Sequence, residues 1–167
     1  VCRVVAGAAA LALVAAACGS DGSGSDTGSG SGSDAASAFQ VVTTVAPITS
    51  IAANVIGDCA EITGIVPEGT NSHPFEPPPS AAELMTAADV VFINGLQLEE
   101  PTKALAEANV ADGVRIVELG DLTVSPDQYK YDFSFPEDGG KPNPHLWTDP
   151  TRVKVYAEII RDTMVAE

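Results

Sequence analysis

The chain has 167 residues and a formal net charge of −15, with 8 Lys and Arg against 23 Asp and Glu. This charge repels a phosphate backbone and argues against nucleic acid as a partner. Only one cysteine, Cys59, follows residue 38, so a Cys-based zinc cluster is excluded from the predicted globular part.

The first 18 residues are typical of a secretory leader. Arg3 precedes an apolar run over residues 4–17 that is too short to cross a bilayer. Small residues stand directly before Cys18, with Gly19 after it, and this arrangement resembles a bacterial lipoprotein signal. In such signals the cysteine is lipidated and becomes the new N-terminus. We therefore predict a signal peptide over residues 1–18 with lipid on Cys18. A plain secretory signal with a chance cysteine is the alternative.

Residues 19–38 consist of Gly, Ser, Asp, Thr and Ala alone. A segment of this composition cannot offset the conformational entropy that ordering would cost. We predict a disordered tether that holds a domain just off a membrane.

The globular pattern begins with a strand and a helix. Val41 to Val45 is rich in β-branched residues and predicts a buried strand. Pro47 suits the first turn of the helix that follows, and Gly57 should end that helix. Its apolar positions recur at helical spacing: Ile48, Ile51, Ala52, Val55 and Ile56. A second strand is predicted over residues 61–66.

Helices and strands continue to alternate further along the chain. Ser80 and Glu83 have the spacing of a capping box, which predicts a helix start at Ser80. The apolar face of that helix is predicted to hold Ala81, Leu84, Met85 and Ala88. Strands are predicted over residues 90–93 and 114–119, with a helix from Glu99 or Pro101 to Ala108 between them. This alternation predicts an α/β fold, a parallel four-stranded sheet flanked by helices, with strands that are apolar throughout.

The last third of the chain holds a loop and a helix. Residues 120–143 show no hydrophobic period, which predicts a long loop. From Pro150 a helix is predicted with one apolar face, formed by Val153, Tyr156, Ala157, Ile160 and Met164. The helical pattern is still running at Glu167.

The only two histidines, His73 and His145, each lie beside a proline in a loop before a helical pattern. Proline restricts the backbone on both sides, so both imidazoles should be held on stiff loops. Such a pair suggests metal ligands, and two ordinary surface histidines at helix starts are the alternative. If both loops leave the carboxyl ends of neighbouring parallel strands, the imidazoles should converge on one point.

Four stretches resemble the lipid-anchored solute-binding proteins of ABC importers for zinc and manganese. They are residues 43–48 (TTVAPI), 69–80 around His73, 92–99 (FINGLQLE) and 143–150 around His145. The resemblance implies two α/β lobes joined by a long helix, with the metal in the cleft between them. It assigns residues 39–149 to the N-terminal metal-binding lobe and residues 150–167 to the start of the connecting helix. The C-terminal lobe, which carries the remaining ligands in the family, is absent from the sequence.

The resemblance also implies a function. His73 and His145 match the two histidine ligands of the N-terminal lobe, and the metal would be Zn²⁺ first and Mn²⁺ second. The partners would be an ABC permease and, through the lipid anchor, the outer face of a bacterial cell membrane. The full-length protein is expected to be a monomer without enzymatic activity.

Some positions depart from the family pattern. Asn71 and Ser72 stand where the family often has Asp and Pro, Asn143 replaces a frequent Asp, and Phe75 a frequent Tyr. The candidates for orienting the imidazoles are Glu76, Asn143 and Asp149. Glu76 and Asp149 are better explained by helix capping or solvation than by direct ligation, and Trp147 by packing beside His145.

Two other classes of protein stay open. One is a metal-dependent surface adhesin lipoprotein, since a tethered acidic domain could bind a host or matrix partner. The other is a metallohydrolase that uses the same two histidines, although the sequence contains no HExxH or similar dense motif.

Overall fold

The computed structural model describes residues 38–167. The predictions for the signal peptide, Cys18 and the tether therefore lie outside the described residues. The strands and helices are β1 (Gln40–Thr43), α1 (Ala46–Ile56), β2 (Glu61–Gly64), α2 (Ala81–Ala87), β3 (Val90–Ile93), α3 (Glu100–Asn109), β4 (Arg115–Glu118), α4 (Leu119–Thr123) and α5 (Pro150–Ala166). Single-turn 3-10 helices occur at Gly57–Cys59, Pro126–Gln128, Glu137–Gly139 and Leu146–Thr148.

The four strands form one sheet in the order β2-β1-β3-β4, and each neighbouring pair is parallel. Successive residues of a strand face opposite sides of the sheet, so the apolar side chains divide into two layers. Val90 and Phe92 belong to the layer that contains Ile48 of α1 and Tyr156 of α5. The alternate residues of β3 pack with Met85 of α2 on the other side. The predicted helix-flanked parallel sheet is confirmed.

The prediction that all strands are apolar throughout holds only for β3, since the other inner strand, β1, has the sequence QVVT. All four residues of β3 are buried, because β3 has a neighbour on each side and helices on both faces. The edge strands begin instead with Glu61 and Arg115, which are both exposed.

The predicted capping box at the start of α2 does not form. The backbone of Ser80 is helical (φ −63°, ψ −21°) instead of extended, and its side chain makes no capping hydrogen bond. The N–H of Glu83, which a capping box would bond to the Ser80 side chain, donates instead to the backbone carbonyl of Ser80 at 3.3 Å. Leu84 was expected on the buried face but is 39% exposed.

The segment over residues 120–143 has more structure than predicted. It contains most of α4 and two of the 3-10 turns. The Asp121 carboxylate of α4 accepts the N–H of Leu96 at 2.8 Å, which joins α4 to the loop that follows β3. α4 therefore closes the carboxyl edge of the sheet beside the central strand.

The helix predicted from Pro150 is present as α5. Asp149 caps it by accepting the N–H of Thr151 at 2.8 Å, and Tyr156 and Ile160 on its apolar face are fully buried. Val153, Ala157 and Met164 are only half-buried. Within residues 38–167, no helix combines the length and apolarity that crossing a membrane requires.

Candidate metal centre

The two histidines meet at the carboxyl edge of the sheet. His73 lies in the loop between β2 and α2, and His145 directly precedes the 3-10 turn that leads to α5. Their Nε2 atoms are 3.4 Å apart although the residues are 72 positions apart in the chain. The two loops do not follow neighbouring strands, which was the condition under which convergence was predicted. The strands that precede these loops, β2 and β4, form the two edges of the sheet. The segment after α4 returns over the carboxyl edge and brings His145 to His73.

Asn143 fixes which nitrogen of His145 carries the proton. Its Oδ1 accepts the backbone N–H of His145 at 3.0 Å and lies 2.7 Å from Nδ1 of the same residue. Its Nδ2 donates to the Asp132 carboxylate at 2.6 Å, and a carboxylate can only accept. The amide therefore has one consistent orientation, in which Nδ1 of His145 is the donor. In the neutral ring the lone pair is then on Nε2, the atom that faces His73.

The His73 loop is held by local backbone bonds. Asn71 Oδ1 accepts the N–H of His73 at 3.2 Å, and the carbonyl of Ser72 accepts the N–H of Phe75 at 3.3 Å. His73 itself is exposed. One imidazole is thus half-buried and fully oriented, and the other is presented to solvent from a tight turn.

Two aromatic residues pack around the imidazoles. The Phe135 ring centroid lies 5.7 Å from that of His73 and 5.4 Å from that of His145. The Trp147 ring meets His145 edge-on at 5.0 Å, as the sequence led us to expect. These rings limit the directions from which water or a ligand can reach the two nitrogens.

Sequence reasoning missed Asp132 and Phe135. Both lie in the aperiodic segment before Asn143, where no spacing marked them. Asp132 Oδ1 accepts the N–H groups of Ser134 (2.8 Å) and Phe135 (3.1 Å), so the carboxylate that orients Asn143 also builds the turn that presents Phe135. The hydrogen bond from Asn143 is the main reason why the pKa of Asp132 lies below its usual range.

The electrostatics of His145 favour the neutral ring. Burial lowers its pKa below the usual 6.5, and the charge of His73 lowers it further, while Asp132 acts in the opposite direction. A neutral ring can coordinate a metal ion, whereas a protonated ring cannot.

The separation of the two nitrogens suits a metal ion. Zinc binds imidazole nitrogen at about 2.0–2.1 Å in tetrahedral sites, which places two such nitrogens about 3.3 Å apart. The observed separation of 3.4 Å is therefore compatible with both rings binding one ion through Nε2. In the described part of the chain, no group of three or more His, Cys, Asp or Glu side chains could hold a metal. Two imidazoles can supply two of the four ligands that a tetrahedral zinc site takes.

The other two candidates near the histidines do not contact the imidazoles. Glu76 is exposed and makes no hydrogen bond or ion pair to another residue of the range 38–167. Asp149 caps α5, and the hydrogen bonds from Thr151 lower its pKa. A cavity of about 190 Å³ next to His145 is lined by Lys130 and Arg152 among others, and two cationic side chains disfavour a metal ion there.

Comparisons with known proteins place the chain in a family. The profile of the family described as zinc-uptake complex component A, periplasmic, matches residues 41–167. The manganese-binding lipoprotein MntA of Halalkalibacterium halodurans is 36% identical over 126 residues, which cover 75% of this chain and 39% of that protein. The iron-binding protein YfeA of Yersinia pestis is 31% identical over 134 residues, which cover 79% of this chain and 40% of that protein.

A solved structure shares the fold. The manganese-bound periplasmic metal-binding protein of Candidatus Liberibacter asiaticus superposes with a TM-score of 0.65 at 26% identity, over 77% of this chain and 45% of that one. The chain belongs to the family of periplasmic zinc-uptake components, and the family predicted from the four stretches is confirmed. It spans about two fifths of the length of the curated relatives that it matches.

Proposed function

We propose that this chain is part of the solute-binding component of an ABC importer, and that it captures a divalent transition metal outside the cell membrane for delivery to the permease. The metal is Zn²⁺ first and Mn²⁺ second. The observation that carries the proposal is the 3.4 Å separation of the His73 and His145 Nε2 atoms, with Asn143 turning the lone pair of His145 towards His73. The family supports it, because its matched relatives are named as manganese-binding and iron-binding proteins.

The division of labour follows from the two-ligand geometry. His73 and His145 supply two nitrogen ligands from one rigid lobe, and the remaining ligands come from the C-terminal lobe of the family fold, which lies outside this sequence. Closure of that lobe over the ion completes the site and gives the permease a metal-loaded shape to recognise. The full-length protein acts as a monomer.

We propose a binding protein and not an enzyme. The described groups in contact with the imidazoles are the Asn143 amide and the rings of Phe135 and Trp147. None of these is a general base that could activate a metal-bound water. Stoichiometric metal binding without turnover of ester, amide or phosphate substrates is the expected result.

The location is also part of the proposal. Cys18 carries lipid as the mature N-terminus, and residues 19–38 tether the lobe outside the membrane. More than one acyl chain is needed for stable anchoring, because each buried CH₂ contributes only about 0.8 kcal/mol. Mass spectrometry of the membrane fraction should find Cys18 lipidated, and a soluble product cut elsewhere would contradict the anchor.

Calorimetric titration of the 167-residue chain with Zn²⁺ and with Mn²⁺ tests the site. Because two imidazoles leave positions open to water, the chain should bind zinc weakly, and manganese more weakly since it prefers oxygen ligands. His73→Ala and His145→Ala should each abolish most of the zinc binding.

Glu76→Ala and Asp149→Asn are the matched controls. Each removes one carboxylate near a histidine, and the Asp149 change keeps a residue that can cap α5. Both should bind zinc nearly as well as the parent. Equal zinc affinity in the parent and in both histidine variants would show that the two histidines are not the site.

A further inference from the structure

A buried amide lies between the metal-site loop and α5. Asn94 directly follows the central strand β3 and is fully buried, with 0% of its surface exposed. Asn94 is part of the stretch 92–99 (FINGLQLE). Nothing in the arrangement of the two imidazoles requires an amide at this position.

Both ends of the Asn94 side chain are occupied. Its Oδ1 accepts the hydroxyl of Tyr156 at 3.0 Å, and its Nδ2 donates to the carbonyls of Gly95 (3.0 Å) and Pro144 (3.1 Å). Because the two carbonyls can only accept, the amide cannot be flipped. Its backbone is equally engaged, with the N–H bonded to Glu99 at 2.6 Å and the carbonyl bonded to the N–H of Gly120 at 2.7 Å.

The bond to Pro144 reaches the metal site through one peptide unit. The carbonyl of Pro144 belongs to the same rigid peptide plane as the N–H of His145. Asn94 holds the oxygen of this plane, and Asn143 accepts the N–H at 3.0 Å. The backbone that carries the His145 ring is thus fixed from both sides, and one of these contacts comes from the centre of the sheet.

Tyr156 extends the connection to α5. It is fully buried in the layer between the sheet and α5, and burial raises the pKa of its hydroxyl far above the usual value, so the group stays a hydrogen-bond donor. A displacement of α5 relative to the sheet would therefore move Tyr156 and, through it, the Asn94 amide that holds the Pro144–His145 peptide.

We propose that Asn94 is a positioning residue for His145, and that its amide couples the placement of this metal ligand to α5 through Tyr156. The inference rests on the proposed metal-binding function. Loss of a group that orients a metal ligand typically weakens metal binding about 10- to 100-fold. We expect loss of the Asn94–Pro144 bond to weaken zinc binding by a factor in this range.

Asn94→Asp in the 167-residue chain removes the Nδ2 donor to Pro144 together with its bond to Gly95. It keeps the size of the side chain and the oxygen that accepts from Tyr156, but a carboxylate at this position places an oxygen that repels both carbonyls. Tyr156→Phe is the second variant, since it removes only the hydroxyl and keeps the buried ring. Met85→Ala is the control, because Met85 is buried in the apolar layer on the opposite face of the sheet.

Two measurements are made on each folded variant. The first is zinc affinity by calorimetry. The second needs no metal: acrylamide quenching of Trp147, the only tryptophan of the chain, whose ring meets His145. Asn94→Asp should weaken zinc binding about 10- to 100-fold and increase the quenching. Tyr156→Phe should change both in the same direction by a smaller factor, and Met85→Ala should change neither.

Two results would overturn the proposal. The first is zinc affinity and Trp147 quenching equal to the parent's in Tyr156→Phe and in any folded Asn94→Asp. The second is a loss of zinc affinity in Met85→Ala as large as in the other two variants. If Asn94→Asp does not fold, Tyr156→Phe decides alone. Failure of the metal site itself is distinguishable, because the parent and His145→Ala would then bind zinc equally. The quenching of Trp147 would still report whether Asn94 positions the loop.

Discussion

A single oxygen of Asn143 accepts from two nitrogens of His145, the backbone N at 3.0 Å and the ring Nδ1 at 2.7 Å. The same side chain therefore holds the backbone at His145 and sets the tautomer of the His145 ring. The Asp132 carboxylate keeps the amide in this orientation. Two residues, of which only Asn143 was a candidate from sequence, thus orient the Nε2 atom of His145.

Asn143→Ala should weaken zinc binding about 10- to 100-fold, because the His145 ring would be free to rotate and to change tautomer. Calorimetric titration measures the effect. Asn54→Ala is the control, since Asn54 makes a single side-chain bond, to the carbonyl of Ser50 within α1. Unchanged affinity in Asn143→Ala would show that the Asn143 amide does not orient the ligand.

Zinc binding should weaken as the pH decreases. The part of this loss that comes from protonation of His145 should be centred below pH 6.5. The reason is that burial and His73 lower the pKa of His145, so its ring stays neutral and able to bind metal to a lower pH than a free imidazole. NMR titration of the His145 ring in the metal-free chain measures this directly. In His73→Ala the pKa of His145 should rise, because a neighbouring positive charge is removed.

The same shift affects folding stability. Below pH 6.5 the unfolded chain binds a proton at this position more readily than the folded chain, so the free energy of unfolding decreases as the pH falls through this range. A pKa of His145 at or above 6.5 in the parent would contradict both expectations.

Glu99 should make stability depend on pH in the opposite direction. Its carboxyl is buried, and burial raises its pKa above 4.5 despite hydrogen bonds from Thr44 and Asn94. The folded chain therefore holds this proton more tightly, and stability is lost as the pH rises through the raised pKa. Glu99→Gln keeps the oxygen that accepts from Thr44 and Asn94 and removes the titration. The free energy of unfolding of Glu99→Gln minus that of the parent, measured by urea denaturation, should increase as the pH rises above 4.5, because only the parent loses stability. A constant difference would show that Glu99 does not titrate with a raised pKa.

Gly95→Ala should destabilise the fold more than Gly113→Ala. Both glycines have positive φ, +78° and +90°, where any Cβ costs about 1–2 kcal/mol. A Cβ on Gly113 would meet no atom within 4 Å, whereas one on Gly95 would overlap the Asp121 carboxylate. That carboxylate accepts the N–H of Leu96, so Gly95→Ala also removes this bond and should cost about 1 kcal/mol or more in addition. Urea denaturation of the two variants gives the comparison. Equal decreases in the free energy of unfolding would show that the Asp121 side chain can move aside without loss of stability.

The elements that the sequence predicted best are those whose signals are local. Pro47 and Gly57 bound α1 because proline suits a first turn and glycine tolerates the positive φ of +58° at which this helix ends. The apolar run of β3 predicted its burial because helices cover both faces of a central parallel strand. Ser80 failed as a cap although its spacing was right, because its backbone is already helical and its carbonyl, not its side chain, accepts the N–H of Glu83. A spacing rule contains no information about such a competing partner.

For the site, the sequence by itself indicated His73 and His145 as candidate metal ligands, since they are the only two histidines and both lie beside prolines. It also determined the order of strands and helices, because hydrophobic period and turn residues act over a few neighbouring positions. Only the tertiary structure decided that the histidines meet at 3.4 Å from opposite edges of the sheet. It also decided that Phe135 packs against both rings, that Asp132 orients Asn143, and that Asn94 holds the Pro144 carbonyl. These contacts depend on where the long segment after α4 returns. That return is fixed by bonds between residues far apart in the chain, such as Asn94 and Pro144, 50 positions apart.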